Sequence, residues 1–249
     1  MVRLALMNLM MHGIDNPHVD YQDTLSKGFT EEAMYDVVMA NPPFTGSIDK
    51  GDINESLQLK TTKTELLFTE RIFNLLRTGG TAGIIIPQGV LFGSAGAFVE
   101  ARKKLVEEGE LKAVISLPGG VFKPYAGVAT AILVFTRGGK TEQTWFYQVG
   151  NDGFSLDDKR QRIPGSNLPD VVDQWRSRDP QQLGDRKSKC FFVSVDEIRQ
   201  KQYDLSFNRY HEPEQDESVY EEPKVILRRL KELEESIQQG ISELEGILG

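Results

Sequence analysis

Apolar and polar positions along this chain fall into short blocks whose period changes several times. Residues 2–12 are apolar on nearly every side and rich in Leu, Ala and Met, which are strong helix formers. Gly13 stands where a helix commonly ends, so a helix over 2–12 is predicted, one that wants burial on several faces. Val19 to Leu25 alternate and predict a short strand. Tyr35 to Ala40 form an apolar, β-branched run that predicts a buried strand, stopped at once by Pro42 and Pro43. Residues 45–61 carry Gly, Ser, Asp and Lys with no apolar period and predict a loop or lid. Thr62-Lys63-Thr64-Glu65 has the spacing of a capping box, starting a helix at Thr62 that carries Leu66, Leu67, Phe68, Ile72 and Phe73 and stops at Gly79-Gly80.

Further along, a strand over 81–86 is closed by Pro87, a helix over 95–108 ends at Gly109, and a strand over 111–117 is closed by Pro118. Helix and strand in alternation predict a mostly parallel sheet with right-handed crossovers. The loop 119–127 holds Phe122 and Tyr125 and leads straight into an apolar strand over 128–135, which allows an antiparallel hairpin. Trp145 to Val149 adds one more strand. Residues 150–215 are polar and irregular, with a short helix near 170–176 and a capped helix entry where Ser194 precedes Glu197 by three. From Pro223 the period changes again: Ile226, Leu230, Leu233, Ile237, Ile241, Leu244 and Leu248 step by four and three, an amphipathic helix with a coiled-coil-like seam that Gly240 weakens. The predicted organisation is an α/β domain over 1–150, an irregular extension over 151–222, and the amphipathic helix over 223–249.

Composition adds limits rather than detail. The chain has 249 residues, 39% hydrophobic and 27% charged, an ordinary globular balance. A formal charge of −8 makes it a poor stand-alone nucleic-acid binder. The basic clusters at 102–104, 159–162 and 186–189 read as solvated faces. One cysteine, Cys190, excludes a disulfide framework and fits a reducing, cytoplasmic setting. Three histidines without ligand-like spacing predict no metal site. No apolar run reaches the ~18 residues of a membrane span, and Met1 to Ile14 lack the features of a signal peptide.

The stretch with chemistry is Asn41-Pro42-Pro43-Phe44, at the carboxyl end of a predicted strand, where ligands bind in open α/β sheets. An exocyclic amine conjugated to a ring is a poor nucleophile. If the Asn41 amide oxygen and the Pro42 carbonyl each accept one of its N–H bonds, the nitrogen can approach tetrahedral geometry and present its lone pair to an electrophile. Phe44 would stack on the ring. The plainer reading is a strand-ending turn, since Asn and Pro are ordinary turn residues. The tetrapeptide resembles motif IV of the amino-methyltransferases that act on adenine N6, cytosine N4 or glutamine N5.

Three further stretches carry a more specific resemblance: Gly83 to Phe92 (GIIIPQGVLF), Leu117 to Thr130 (LPGGVFKPYAGVAT) and Tyr203 to Tyr210 (YDLSFNRY). With Asn41 to Phe44 they resemble the modification (methylation) subunit of Type I restriction–modification systems, over nearly the whole chain. The resemblance implies a partial Rossmann-like methyltransferase fold and an adenine-N6 DNA methyltransferase using S-adenosyl-methionine on a flipped adenine. It implies that Asn41 and the Pro42 carbonyl, fixed by Pro43, hold the amine, that Phe44 stacks on the base, that Phe122 lines the other side of the base pocket, and that Asp23 contacts the adenine of the cofactor. The implied partners are double-stranded DNA, a specificity subunit that reads it, and a restriction subunit. The C-terminal helix is similar in position to helices that dock on the specificity subunit.

The family's first strand, its Gly-rich turn and its second strand have no counterpart here, so the fold is expected to lack its first two strands. Those strands lie between the strand at 19–25 and the strand at 35–40 in the family's order, which leaves a gap of about 14 Å at ~4.8 Å per strand step. The chain therefore reads as an N-terminally truncated methyltransferase that neither binds the cofactor tightly nor methylates DNA alone. The alternative is a non-catalytic docking module for the specificity subunit. Glutamine methylation shares the Asn-Pro-Pro core but has no need of the Phe122 loop or the Tyr203 to Tyr210 segment.

Overall fold

The computed structural model describes residues 1–213 and 223–248. In chain order the elements are α1 (Val2–Met11), β1 (Tyr35–Ala40), α2 (Thr64–Leu75), β2 (Leu76–Pro87), α3 (Gly89–Phe92), α4 (Gly96–Glu107), β3 (Gly109–Leu117), β4 (Thr130–Arg137), β5 (Gln143–Gln148), α5 (Leu168–Ser177), β6 (Cys190–Ser194), α6 (Val195–Gln200) and α7 (Pro223–Leu248). Residues 1–212 form one unit, and α7 belongs to a second that begins at Pro213.

Six strands make one sheet in the order β1-β2-β4-β3-β5-β6. β1 runs parallel to β2, and β3 parallel to β5. β4 is inserted between β2 and β3 and runs antiparallel to both, because it follows β3 through a loop with no helix to carry the chain back. β6 closes the far side antiparallel to β5. The expected mostly parallel sheet is thus a mixed one. Even so, β1, β2, β3 and β5 share a direction, and Ala40, Pro87, Leu117 and Gln148 end at one edge.

Alternation along the strands builds a core on each face. Ile84, Ile86, Val114, Leu133, Phe135 and Phe146 face Leu66, Ile72 and Phe73 of α2 and Ala101, Leu105 and Val106 of α4. The intervening residues Ala113, Ile115, Leu117, Trp145 and Tyr147 face the other way, toward Val171 and Trp175 of α5. Fully burying one such side chain is worth about 1.5–3 kcal/mol, so these two clusters hold the sheet between its helices.

Several expectations need correction. The stretch 19–25 forms no strand; it has no ladder partner and ends in a turn. Tyr35 to Ala40 is a strand as expected but an exposed one: β1 is a sheet edge, and Val37 and Met39 are 66% and 87% exposed. The capping box does not form, since α2 starts at Thr64 behind Lys63, with no side-chain cap. Instead Thr61 Oγ1 accepts from the Lys63 amide at 3.1 Å, a local turn that competes with capping. α1 forms where expected yet has no buried residue. Residues 151–212 are not a separate extension, because Phe191, Val193, Ile198, Phe207 and Tyr210 join the main core. The Ser194 cap does form, its hydroxyl accepting from the Glu197 amide at 3.3 Å. The rest of the predicted 151–222 segment falls partly outside the described residues.

The stretch 45–61 is irregular as expected, and so are Thr62 and Lys63, but it is fastened down. Leu57, with Ile48 and Ile53, packs on Leu25 and Leu67. The buried Glu70 carboxylate accepts from the Gln58 and Leu59 amides at 3.0 Å each and pairs with Lys104 at 3.2 Å. Next to it, Arg71 is 1% exposed and lies 4.9 Å over the Phe29 ring. None of its guanidinium nitrogens has a hydrogen-bond partner among the described residues, and burial holds its pKa below the usual arginine value.

Candidate active site

Asn41 to Phe44 leave the carboxyl end of β1, whose register on β2 is set by Met39 opposite Gly83 and Ala40 opposite Ile84. Pro42 is buried, Asn41 and Pro43 are exposed, and Phe44 is half-buried. The Asn41 amide and the Pro42 carbonyl make no hydrogen bond among the described residues, so both acceptors are available. Directly after the turn, the Ile48 amide donates to Thr62 O at 3.0 Å and the Thr64 amide to Gly46 O at 3.1 Å. These bonds tie the turn to the start of α2. A Cβ at position 46 would lie 2.7 Å from Thr64 Oγ1, so this close approach needs glycine.

Phe122 reaches the same place from the loop after β3. Its ring meets Phe44 edge to face, with centroids 5.2 Å apart and planes at 71°. The loop is braced by the Tyr125 and Ala126 amides donating to Phe122 O at 2.9 and 3.0 Å and by Lys123 pairing with Asp158 at 3.3 Å. Gly120 sits at φ +89°, and a Cβ there would press 2.8 Å from Leu156 O, which explains the glycine before Val121 and Phe122. Tyr125 stands 95% exposed on the rim.

Gln88, inside the GIIIPQGVLF stretch, organises the edge. Its amide N–H donates to Ala129 O at 2.9 Å, and its Nε2 reaches Leu117 O at 3.3 Å and Thr130 O at 3.4 Å. One side chain therefore joins the ends of β2, β3 and β4. The signal was present in the sequence: like Asn41, Gln88 is an amide at the carboxyl end of a strand, beside the proline that closes it. Gln88 also lines a cavity of about 250 Å³ with Ser116, Gln148, Phe92 and Asn208.

Asp23 is a turn residue. Its Oδ1 accepts from the Leu25 amide at 3.0 Å and its carbonyl from Ser26 Oγ at 2.9 Å. It makes no hydrogen bond, ion pair or ring contact with Phe44 or Phe122 among the described residues. Upstream, His18, Asp20, Gln22 and Thr24 form one wall of a cleft of about 560 Å³, and Tyr35, Val37 and Met39 of β1 form the other. Asp20, rather than Asp23, is the carboxylate on this wall. The Tyr35 hydroxyl donates to Glu31 at 2.7 Å, and that bond, then burial, then the charges of Glu31 and Asp20 raise its pKa. The cleft stands where two strands were expected to be missing. Its lining holds two carboxylates, Asp20 and Glu31.

A mixed sheet flanked by helices, with an amide-bearing proline turn at its carboxyl edge, has the layout of an α/β methyltransferase. Comparison with known proteins narrows this. The N-6 DNA Methylase profile matches residues 1–218, and the chain belongs to that family. It is 30% identical to the Type I restriction enzyme EcoEI methylase subunit of Escherichia coli, over 99% of this chain and 50% of that protein. A solved structure from work on complex assembly and conformational transition of the type I R-M system matches with TM-score 0.69 and 32% identity, over 98% of this chain and 52% of that one. A modification subunit of a putative type I restriction enzyme from Vibrio vulnificus matches with TM-score 0.61 and 27% identity, over 79% of this chain and 42% of that one. The chain spans about half the length of these relatives. No helix among the described residues is long and apolar enough to cross a membrane.

Proposed function

We propose that this chain carries the base-holding half of an adenine-N6 DNA methyltransferase, the modification subunit of a Type I restriction–modification system. The observation that carries the reading is the juxtaposition at the sheet edge. An exposed Asn41 with no hydrogen bond among the described residues stands beside the Pro42 carbonyl, and Phe44 and Phe122 touch at the same sheet edge.

In this reading a flipped adenine enters over Phe44. Its N6 amine donates one N–H to Asn41 Oδ1 and the other to the Pro42 carbonyl. Both acceptors are neutral, so they stabilise the partial positive charge on nitrogen without taking its proton. Pro43 fixes the turn and so the direction of both oxygens. Phe44 and Phe122 grip the ring faces. At 5.2 Å edge to face the two rings are already in contact, so the base must part them on entry.

The methyl donor is S-adenosyl-methionine, which supplies an electrophilic methyl when bound. The backbone cradle for it comes from additional polypeptide, in cis or as a separate chain. Sequence reading is delegated to a specificity subunit, with cleavage in a restriction subunit. The charge of −8 supports this division, since an acidic chain gains little from DNA phosphates.

The test is methyl transfer to duplex DNA by this chain supplemented with an upstream segment and a specificity subunit. Activity should appear on supplementation and vanish with Asn41→Ala, while calorimetry on this chain alone shows no tight cofactor binding. Full activity of the Asn41→Ala protein would sink the reading.

A further inference from the structure

We propose that the cavity at the ends of β2, β3 and β5 binds a nucleobase, as a site separate from the Phe44–Phe122 pair. It lies where the stretches 83–92 and 203–210 meet: Leu91 and Phe92 come from the first, and Phe207 and Asn208 from the second. Neither stretch has a task in the methyl-transfer reading.

The cavity is held open by bonds of the fold itself. The Leu205 amide donates to Leu91 O at 2.9 Å. The buried Arg102 donates to Val90 O and Gly93 O at 2.8 and 2.9 Å, and to Tyr203 O at 2.6 Å. These bonds lock α3 to the 203–210 segment. On the sheet side, Ser116 and Gln148 are register partners. Each stands two residues past a core residue, Val114 and Phe146, so strand alternation brings both to the same face at the rim.

The chemistry of the lining selects the ligand. None of the lining side chains is charged, so the cavity suits neither a phosphate nor a metal ion. Ser116 is 5% exposed, yet its hydroxyl has no hydrogen-bond partner among the described residues. A buried hydroxyl left this way is costly, and a ligand that bonds to it removes the cost. The Gln148 and Asn208 carboxamides also lack partners among the described residues. Gln88 Nε2 is committed to Leu117 O and Thr130 O, which leaves its Oε1 as an acceptor held in place. A carboxamide meets a base edge with one donor and one acceptor, the pairing that Asn and Gln make with adenine. Phe92, 55% exposed at the rim, offers a face on which a ring can stack. The volume of about 250 Å³ equals that of about eight waters, room for one base but not for a base pair.

The test uses the isotope-labelled full chain and follows the side-chain amide signals of Gln148 and Asn208 by NMR. Adenosine at up to about 10 mM should shift both signals. Gln148→Leu, read from Asn208 and the Ser116 backbone amide, should weaken binding at least about tenfold, while Asn41→Ala leaves it unchanged. Gln148 is exposed, so an unchanged melting temperature should accompany the loss. A run of deoxyadenosines that shifts the same signals at lower concentration than adenosine assigns the base to a DNA strand; no such gain assigns it to a free nucleoside. Silent signals overturn the proposal. So do equal shifts from ribose phosphate, which has no base, and tighter binding of S-adenosyl-homocysteine, which would give the cavity to the methyl donor. Loss of the shifts in Asn41→Ala overturns it as well, because adenosine would then sit in the target-base site. None of these readouts is activity, so failure here and failure of the methyl-transfer reading are told apart.

Discussion

Phe44 and Phe122 lie 78 positions apart in the chain, on two loops from two strands, and their rings meet at 5.2 Å. The contact brings the loops after β1 and β3 together at the carboxyl edge of the sheet.

Asn41→Ala is expected to abolish methyl transfer in the supplemented enzyme and leave the fold alone. Asn41 is exposed and unbonded, so the stability change should stay within about 0.5 kcal/mol. Thermal melts and a transfer assay on the same preparation check both halves. A melting shift of many degrees would mean that Asn41 is structural.

Phe122→Ala should weaken capture of the flipped base. With 2-aminopurine at the target position, the supplemented enzyme should show a smaller flipping signal in the variant, while binding to unmodified duplex changes little. An unchanged signal would remove Phe122 from the pocket.

Glu70→Ala should release the stretch 45–63. It strands two backbone donors and Lys104 around a buried position, a loss of about 2–4 kcal/mol. Limited proteolysis should then cut near Gln58, and urea melts should shift to lower concentration.

Arg71→Met should stabilise this chain by about 1–2 kcal/mol, since a buried guanidinium without hydrogen bonds is costly and methionine packs in similar space. If the variant is instead destabilised, the ion pair of Arg71 with Glu32 at 3.9 Å outweighs the cost of burying the guanidinium.

Glu107 sets an acid limit. Arg199 grips it with two bonds, at 2.8 and 2.7 Å, and Tyr203 adds a third at 2.8 Å, which together draw its pKa down to about 2. A depressed carboxylate stabilises the fold above its unfolded value near 4.3 and loses that contribution as pH falls toward 2. Because the ion pair is partly exposed, the contribution is under about 1 kcal/mol. Glu107→Gln should therefore flatten stability between these pH values, and leave the slope near neutrality unchanged.

Legibility of this fold in the sequence followed the range of each interaction. Asn41 to Phe44 could be placed because two prolines have local, unavoidable consequences for strand and turn. The Ser194 cap could be placed because its partner is three residues away. β6 could not: Cys190 to Ser194 is a five-residue strand in polar surroundings, and its partner β5 lies more than 40 residues upstream. The capping box at Thr62 failed to a nearer competitor, the Thr61 hydroxyl. The stretch 19–25 alternates like a strand, but alternation makes no strand without a neighbour to bond. Within the site, Phe122 came from family resemblance, while the role of Gln88 needed the geometry of three strand ends at once.

β1 is supported on one side only. Its inner edge is laced to β2, while its outer edge carries unpaired backbone and the exposed side chains Val37 and Met39. Under the proposed function, the grip on a target amine is a clamp with one jaw anchored and the other left loose. Whatever strand adds to that outer edge would tighten the aim of two oxygens several residues away, making catalytic alignment a consequence of assembly rather than of either piece.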